Sequence, residues 1–202
     1  MEKLNTFKYK KITQVVNFFA SKNSGKKIDY LKVIKLIWAA DRYHFRKYGR
    51  LVTYDKYYAM QHGPVGSCTL DISKQPDSLK EYHPEEFAYS SKYLKKVGEH
   101  KIKSKKKPEL DFFSKTDLEA LNFAVDNFNE IDTFGLRDLT HFYPEWTRHK
   151  KDIESGKTKR SEIHLSDFLR EPSSQKVQED KFKLDRKILA LSKKMLREKA
   201  HS

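Results

Sequence analysis

Cysteine is nearly absent from this chain. Cys68 is the only one among 202 residues, which leaves no intramolecular disulfide and no all-cysteine metal site to form, and a lone thiol fits a reducing compartment. No stretch approaches the ~20 apolar residues that a membrane-spanning helix needs, and the opening MEKLNTFKYKK has no apolar run of the kind a secretory leader carries. These absences point to a cytoplasmic protein with no membrane partner. Neither GxxxxGK[ST] nor GxGxxG occurs, so a nucleotide-cradling loop has no support. Among the eight histidines, His141 and His149 are separated by seven residues with no flanking ligand pair, and nothing matches a zinc spacing. The expectation is therefore no metal, no cofactor and no catalytic residue.

Charge is what the chain has in excess. Its 42 Lys and Arg against 28 Asp and Glu give a net charge of +14 and an isoelectric point near 9.6, a balance that attracts polyanions: nucleic acid, an anionic membrane face or an acidic protein. Charge alone does not choose among them. Aromatic residues at 13% argue against a disordered chain, and the length suits one domain with its own core.

Apolar spacing predicts a helix over 7–20 (Ile12, Val15, Val16, Phe19) and a second, buried on more than one side, from Ile28 to Tyr48. Gly49 sits where its C-terminal cap belongs. Leu51–Thr53 and Tyr57–Met60 read as a small hairpin that Gly63–Pro64 interrupts, and Ser67 as the cap of a short helix. Gln75–Glu85 reads as a loop. Residues 92–107, with eight lysines, read as an edge hairpin around Gly98 whose charge discourages sheet association. Ser114 and Asp117 form a capping-box pattern ahead of a helix to Asn129, Thr133 caps another, and Pro144 opens a turn carrying Trp146. The expected fold is mainly α with a small β-hairpin: one compact helical domain over 1–170, then a linker at 171–174 and an amphipathic C-terminal helix from Val177.

Asp41 and His44 are three apart and share a helix face. With no Ser or Cys nucleophile tied to them, they are read as buried structural groups rather than as an acid–base pair. Tyr43, Arg46, Arg50, Tyr54 and Tyr57 mix aromatic and cationic side chains. Such a mix suits either a protein interface or single-stranded nucleic acid, and composition does not separate the two. No helix-turn-helix with a basic recognition helix is visible. Leu184, Ile188, Leu191 and Met195 follow spacings of four, three and four, those of a coiled-coil seam, which suits association with a partner or with a second copy of the chain.

The order Leu36-Ile37-Trp38-Ala39-Ala40-Asp41, His44, Tyr48-Gly49, Thr53, Asp55, Tyr57 or Tyr58, Ala59 and Gly63-Pro64-Val65, followed by Leu139-Thr140-His141, Pro144 and Trp146, resembles the Panacea antitoxin domain, a group that includes the SocA-like proteolytic adaptors. The resemblance spans about residues 9–170. It implies an antitoxin that neutralises a cognate protein toxin by direct binding, or delivers it to a protease, without an activity of its own. It also implies that Asp41, His44, Gly49, Gly63, Pro64, His141 and Trp146 are structural. The charge would favour an acidic toxin. A nucleic-acid-binding regulator is the alternative.

Overall fold

The structure is a computed structural model that describes residues 2–173, 177 and 180–200, with side-chain surroundings for those between 6 and 198. Ser174 of the expected linker, and His201, lie outside the described residues. Helix α1 (Glu2–Ser21) turns Ile12, Val15, Val16 and Phe19 fully inward, as their spacing requires. A turn at Ser24–Lys26 leads to strand β1 (Lys27–Asp29). Asp29 then starts helix α2 (Tyr30–Tyr48) by accepting a hydrogen bond from the Leu31 N–H at 2.8 Å. The helix begins two residues after the expected Ile28 because β1 takes up that stretch. Gly49 ends it in the left-handed conformation, its N–H closing on the Phe45 carbonyl at 2.9 Å.

No strand forms at 51–53, where buried irregular chain runs instead. The hairpin lies one strand later. Strand β2 (Tyr57–Met60) pairs with β3 (Gly63–Gly66), Ala59 facing Pro64. Gly63–Pro64, expected to interrupt the hairpin, is thus its second strand. Proline is tolerated there because β3 is a sheet edge.

Helices α3 (Ser67–Lys74), α4 (Asp77–Tyr82) and α5 (Pro84–Tyr93) follow. The expected loop at 75–85 is largely helical because its prolines start helices rather than break them. Pro76 is an N-cap and Pro84 opens α5, where a missing N–H costs nothing. The lysine-rich segment forms β4 (Leu94–Val97) and β5 (Lys101–Ser104) about Gly98. Strand β5 is central, not an edge, because β1 pairs on its other side, Ile28 against Ile102. Leu94, Ile102 and Ile28 face the core.

The Ser114–Asp117 capping box opens α6 (Lys115–Phe128). Asp132, not Thr133, caps α7 (Thr133–Thr140), accepting from the Phe134 and Gly135 N–H groups at 3.0 Å. Helices α8 (Pro144–Thr147) and α9 (Lys150–Glu154) lead to β6 (Arg160–Glu162), which joins β2 in a second sheet of order β3-β2-β6. A 3₁₀ turn follows at Leu165–Leu169. Phe182 is fully buried, edge-on to Trp38 and Tyr143 and stacked on Phe128. The C-terminal helix α10 (Arg186–Ala200) therefore starts at Arg186 rather than Val177.

Helix α2 is the axis of this arrangement. It packs against α1, α3, α6, α7 and α10, which explains why it is apolar on more than one side. The described residues make a mainly helical molecule with two small three-stranded antiparallel sheets and a C-terminal helix. None of their helices is long and apolar enough to cross a membrane.

Candidate functional site

The segment that follows α2, residues 50–57, is pinned by three buried polar side chains. Asp41 accepts the Thr53 N–H at 3.0 Å, the Thr53 hydroxyl, and the Tyr57 hydroxyl at 2.8 Å. His44 holds the start of the segment. Its Nδ1–H donates to the Arg50 carbonyl at 2.8 Å, a carbonyl being able only to accept, so Nε2 is the lone-pair nitrogen that takes the Thr116 hydroxyl at 3.0 Å. Asp41 and His44 share a face but serve opposite ends of one segment. Asp55 accepts the Lys56 N–H at 2.8 Å. It also takes the Cys68 and Thr69 N–H groups at 3.2 and 2.8 Å and the Thr69 hydroxyl at 2.9 Å. The α3 N-terminus is thus satisfied by a carboxylate from the preceding segment, and not by Ser67, which is its first helical residue.

Between the pinned Thr53 and Asp55, Tyr54 stands at φ 55°, a left-handed conformation that costs a bulky residue energy. Its ring points outward, 52% exposed, with the Lys11 and Arg50 cations at 5.5 and 5.7 Å from its centre. Here a groove of about 610 Å³ runs between Arg50, Leu51 and Tyr54 on one side and Leu165 and Leu196 on the other. Helix α10 closes it by packing Leu189, Ser192 and Leu196 inward. Its outer face carries Leu191 and Met195, 63% and 41% exposed, and Met195 lies over Gly49, where a β-carbon would be 3.0 Å from its sulfur. Leu184 and Ile188, earlier along the expected stripe, are half-buried.

Not all expected contact residues reach this surface. Arg50 and Tyr54 do. Arg46 does not, because it is fully buried. Its guanidinium donates to the Phe182, Phe168 and Arg170 carbonyls at 3.1–3.2 Å and to Glu171 at 2.6 Å, binding residues 168–171 and Phe182 to α2. Tyr57 is buried by its bond to Asp41. Tyr43 is half-buried, stacked on Phe123 at 4.0 Å and donating to Glu119 at 2.5 Å. Helical spacing places Arg46 one turn after Arg42, and an arginine pair on an apolar helix was the available sign of burial. Arg42 is fully buried and ion-paired to Glu145, with its cation 4.6 Å from the Tyr143 ring. Gly63, Pro64, His141 and Trp146 meet elsewhere: the Trp146 Nε1–H donates to the Met60 carbonyl at 2.9 Å, and His141 stacks on its ring at 4.1 Å.

The buried polar groups make stability depend on pH. Burial holds the His44 imidazole down to about 4, so the folded protein refuses a proton that the unfolded chain accepts below about 6.5. Stability carried by neutral His44 is present above that value and is lost as pH falls towards 4. Burial pushes Asp41 up to about 6, against the hydrogen bonds from Thr53, so its contribution runs the other way and grows as pH falls below 6. At 1.36 kcal/mol per unit, acidification from pH 7 to 5 costs about 2 kcal/mol through His44 and returns about 1 through Asp41. Urea unfolding of His44→Gln at the two pH values should show the acid loss reduced by about 2 kcal/mol. An unchanged acid loss would mean that His44 is not held neutral.

Among the described residues, no group of three His, Cys, Asp or Glu is placed to hold a metal ion. The family model described as antitoxin SocA-like, Panacea domain, matches residues 33–147, more than half of the chain. No curated protein and no solved structure matches it.

Proposed function

The chain belongs to the SocA-like Panacea antitoxin family, and from that premise we propose that it neutralises a cognate protein toxin by direct binding, without chemistry of its own. The observation that supports direct binding is the apolar surface left open beside the groove. Tyr54, Leu165, Leu191 and Met195 are each at least 39% exposed there, and large apolar groups gathered on one side of a strongly charged protein mark an interaction site. Arg50 and Lys56 line the groove together with Asp55 and Glu162, and each of the two cations is ion-paired, to Asp117 at 2.8 Å and Glu162 at 2.9 Å. The net charge of +14 speeds encounter with an acidic toxin more than it tightens the final complex.

On this reading α10 is the adjustable half of the contact. Its inner face completes the groove and its outer face meets the partner. The test is co-expression with the product of a neighbouring reading frame that is toxic on its own. Leu191→Glu with Met195→Glu should lower affinity for that toxin at least tenfold, the loss typical of truncating central apolar contacts, while the melting temperature stays within about 2 °C. Unchanged affinity removes α10 from the contact. A loss of dimer in place of toxin would mean that the helix joins two copies of the chain. Binding to duplex DNA that weakens steeply with salt would favour a nucleic-acid role instead.

A further inference from the structure

A second cleft, of about 990 Å³, opens between the first turns of α2, the β2–β3 turn, α7 and the α8–α9 region. Ile34, Phe134, Val65 and Trp146 make most of its wall apolar; Lys35, His62 and His141 are polar groups of its α2, β2–β3 and α7 sides, and Asp29, Lys74, His100, Glu154 and Lys159 are the other charged or titratable groups that line it. Such a size and such a wall are those of a small-molecule site, for which about 300–1,000 Å³ is usual.

Lys35 is the unusual member. It is 1% exposed, and its ammonium donates to the Pro64 carbonyl at 2.8 Å. Among the described residues no carboxylate lies within ion-pair distance of it. The groups around it are cationic or neutral: Arg137 and His141 from the α7 region, and His62 from the β2–β3 turn. Asp138 is the nearby acid, and it is occupied by Arg137 at 2.7 Å. Asp29 is taken by its cap, and Glu154 lines the cleft from α9. His141 is stacked flat on Trp146, and its Nε2 is buried without a hydrogen-bond partner. Lys35 is consequently pushed down to about 7 by burial and by Arg137, and His141 down to about 4 by burial and by Lys35. A buried amine with no acid beside it costs stability, and positive groups that depress one another define a place where an anion is missing.

We propose that this cleft binds a small organic anion, its carboxylate or phosphate group answering Lys35 and its apolar part lying along Ile34, Phe134 and Trp146. The site is separate from the Tyr54 groove and does not depend on toxin capture. When an anion arrives beside Lys35 its ammonium form is favoured, so binding at pH 8 is accompanied by proton uptake.

Titration calorimetry at pH 8, in two buffers of different ionisation enthalpy, tests this with acetate, inorganic phosphate, benzoate and AMP as probes. The expected result is that benzoate binds at least tenfold more tightly than acetate, or AMP than phosphate, with net proton uptake. The pair that responds tells carboxylate from phosphate. Lys35→Met should bind none of them, and in their absence should melt higher than the wild type, because the unpaired amine is gone. Wild-type protein that binds no probe, or binds without proton uptake, overturns the proposal whatever the variant does. Equal affinity in a folded Lys35→Met protein overturns it as well.

Discussion

Phe182→Ala should lower the unfolding free energy by about 3–5 kcal/mol, the usual loss for a buried phenylalanine. That is a large part of the 5–15 kcal/mol that holds a typical domain together. The ring is fully buried and touches Trp38, Phe123, Phe128 and Tyr143. Its carbonyl accepts from Arg46, and Asp180 accepts from the Tyr143 hydroxyl at 3.1 Å. Truncation divides this contribution from that of α10. A chain ended after Ser173 loses Phe182 and leaves the buried Arg46 guanidinium short of an acceptor, so it should unfold at much lower urea, with binding of a hydrophobic dye. A chain ended after Asp185 keeps both and should remain folded while losing the toxin contact proposed above. Equal urea midpoints for the two truncations would show that Phe182 is not part of the working core.

The second large effect is expected at Gly63. Its φ of 91° disfavours any residue with a β-carbon. An alanine β-carbon there would also stand 2.5 Å from the Thr140 hydroxyl and 2.9 Å from the Lys35 ammonium. Gly98 shares the left-handed backbone, at φ 62°, but has nothing within 4 Å. Backbone strain alone costs about 1–2 kcal/mol at either site, and overpacking adds about 1–3 kcal/mol at Gly63. Thermal unfolding should therefore place Gly63→Ala well below Gly98→Ala. Equal melting temperatures would mean that the β3 backbone moves away from Thr140 at little cost.

Where the sequence was readable, it was so because one local rule dominated. Ser114 and Asp117 announced the start of α6, and the apolar stripes of α1 and α2 announced their burial. Misreadings came where a distant partner decides. Leu51–Thr53 has strand-like residues, yet its hydrogen bonds go to Asp41 on a helix. Ser67 looks like a cap, yet the cap is Asp55. Strand β5 looked like an edge because β1, its partner some 75 residues earlier, is only three residues long. Prolines 76 and 84 carry the same letter whether they break a helix or begin one. Of the candidate surface, Arg50 and Tyr54 stood out as part of an aromatic and cationic mix, and Leu191 and Met195 as part of a narrow apolar stripe. Leu165 and Leu196 gave no signal, since nothing local ties a 3₁₀ turn to the end of a C-terminal helix. Arg46 and Tyr57 are ordinary interface residues by composition, and only the tertiary structure sends them inward.

The late arrival of Phe182 has a consequence for biosynthesis. A ribosome delivers the chain from its N-terminus at about 5–20 residues per second, so Trp38, Phe128 and Tyr143 emerge well before the ring that fills the space between them. During that interval the nascent protein exposes an aromatic gap, and the Arg46 guanidinium lacks the Phe182 carbonyl that it donates to in the folded protein. The core is complete only once residue 182 has cleared the exit tunnel. Until then the growing chain is open to aggregation, to proteolysis and to any chaperone that recognises apolar surface, and the pace of translation through residues 170–182 helps to set how much of it reaches the folded state.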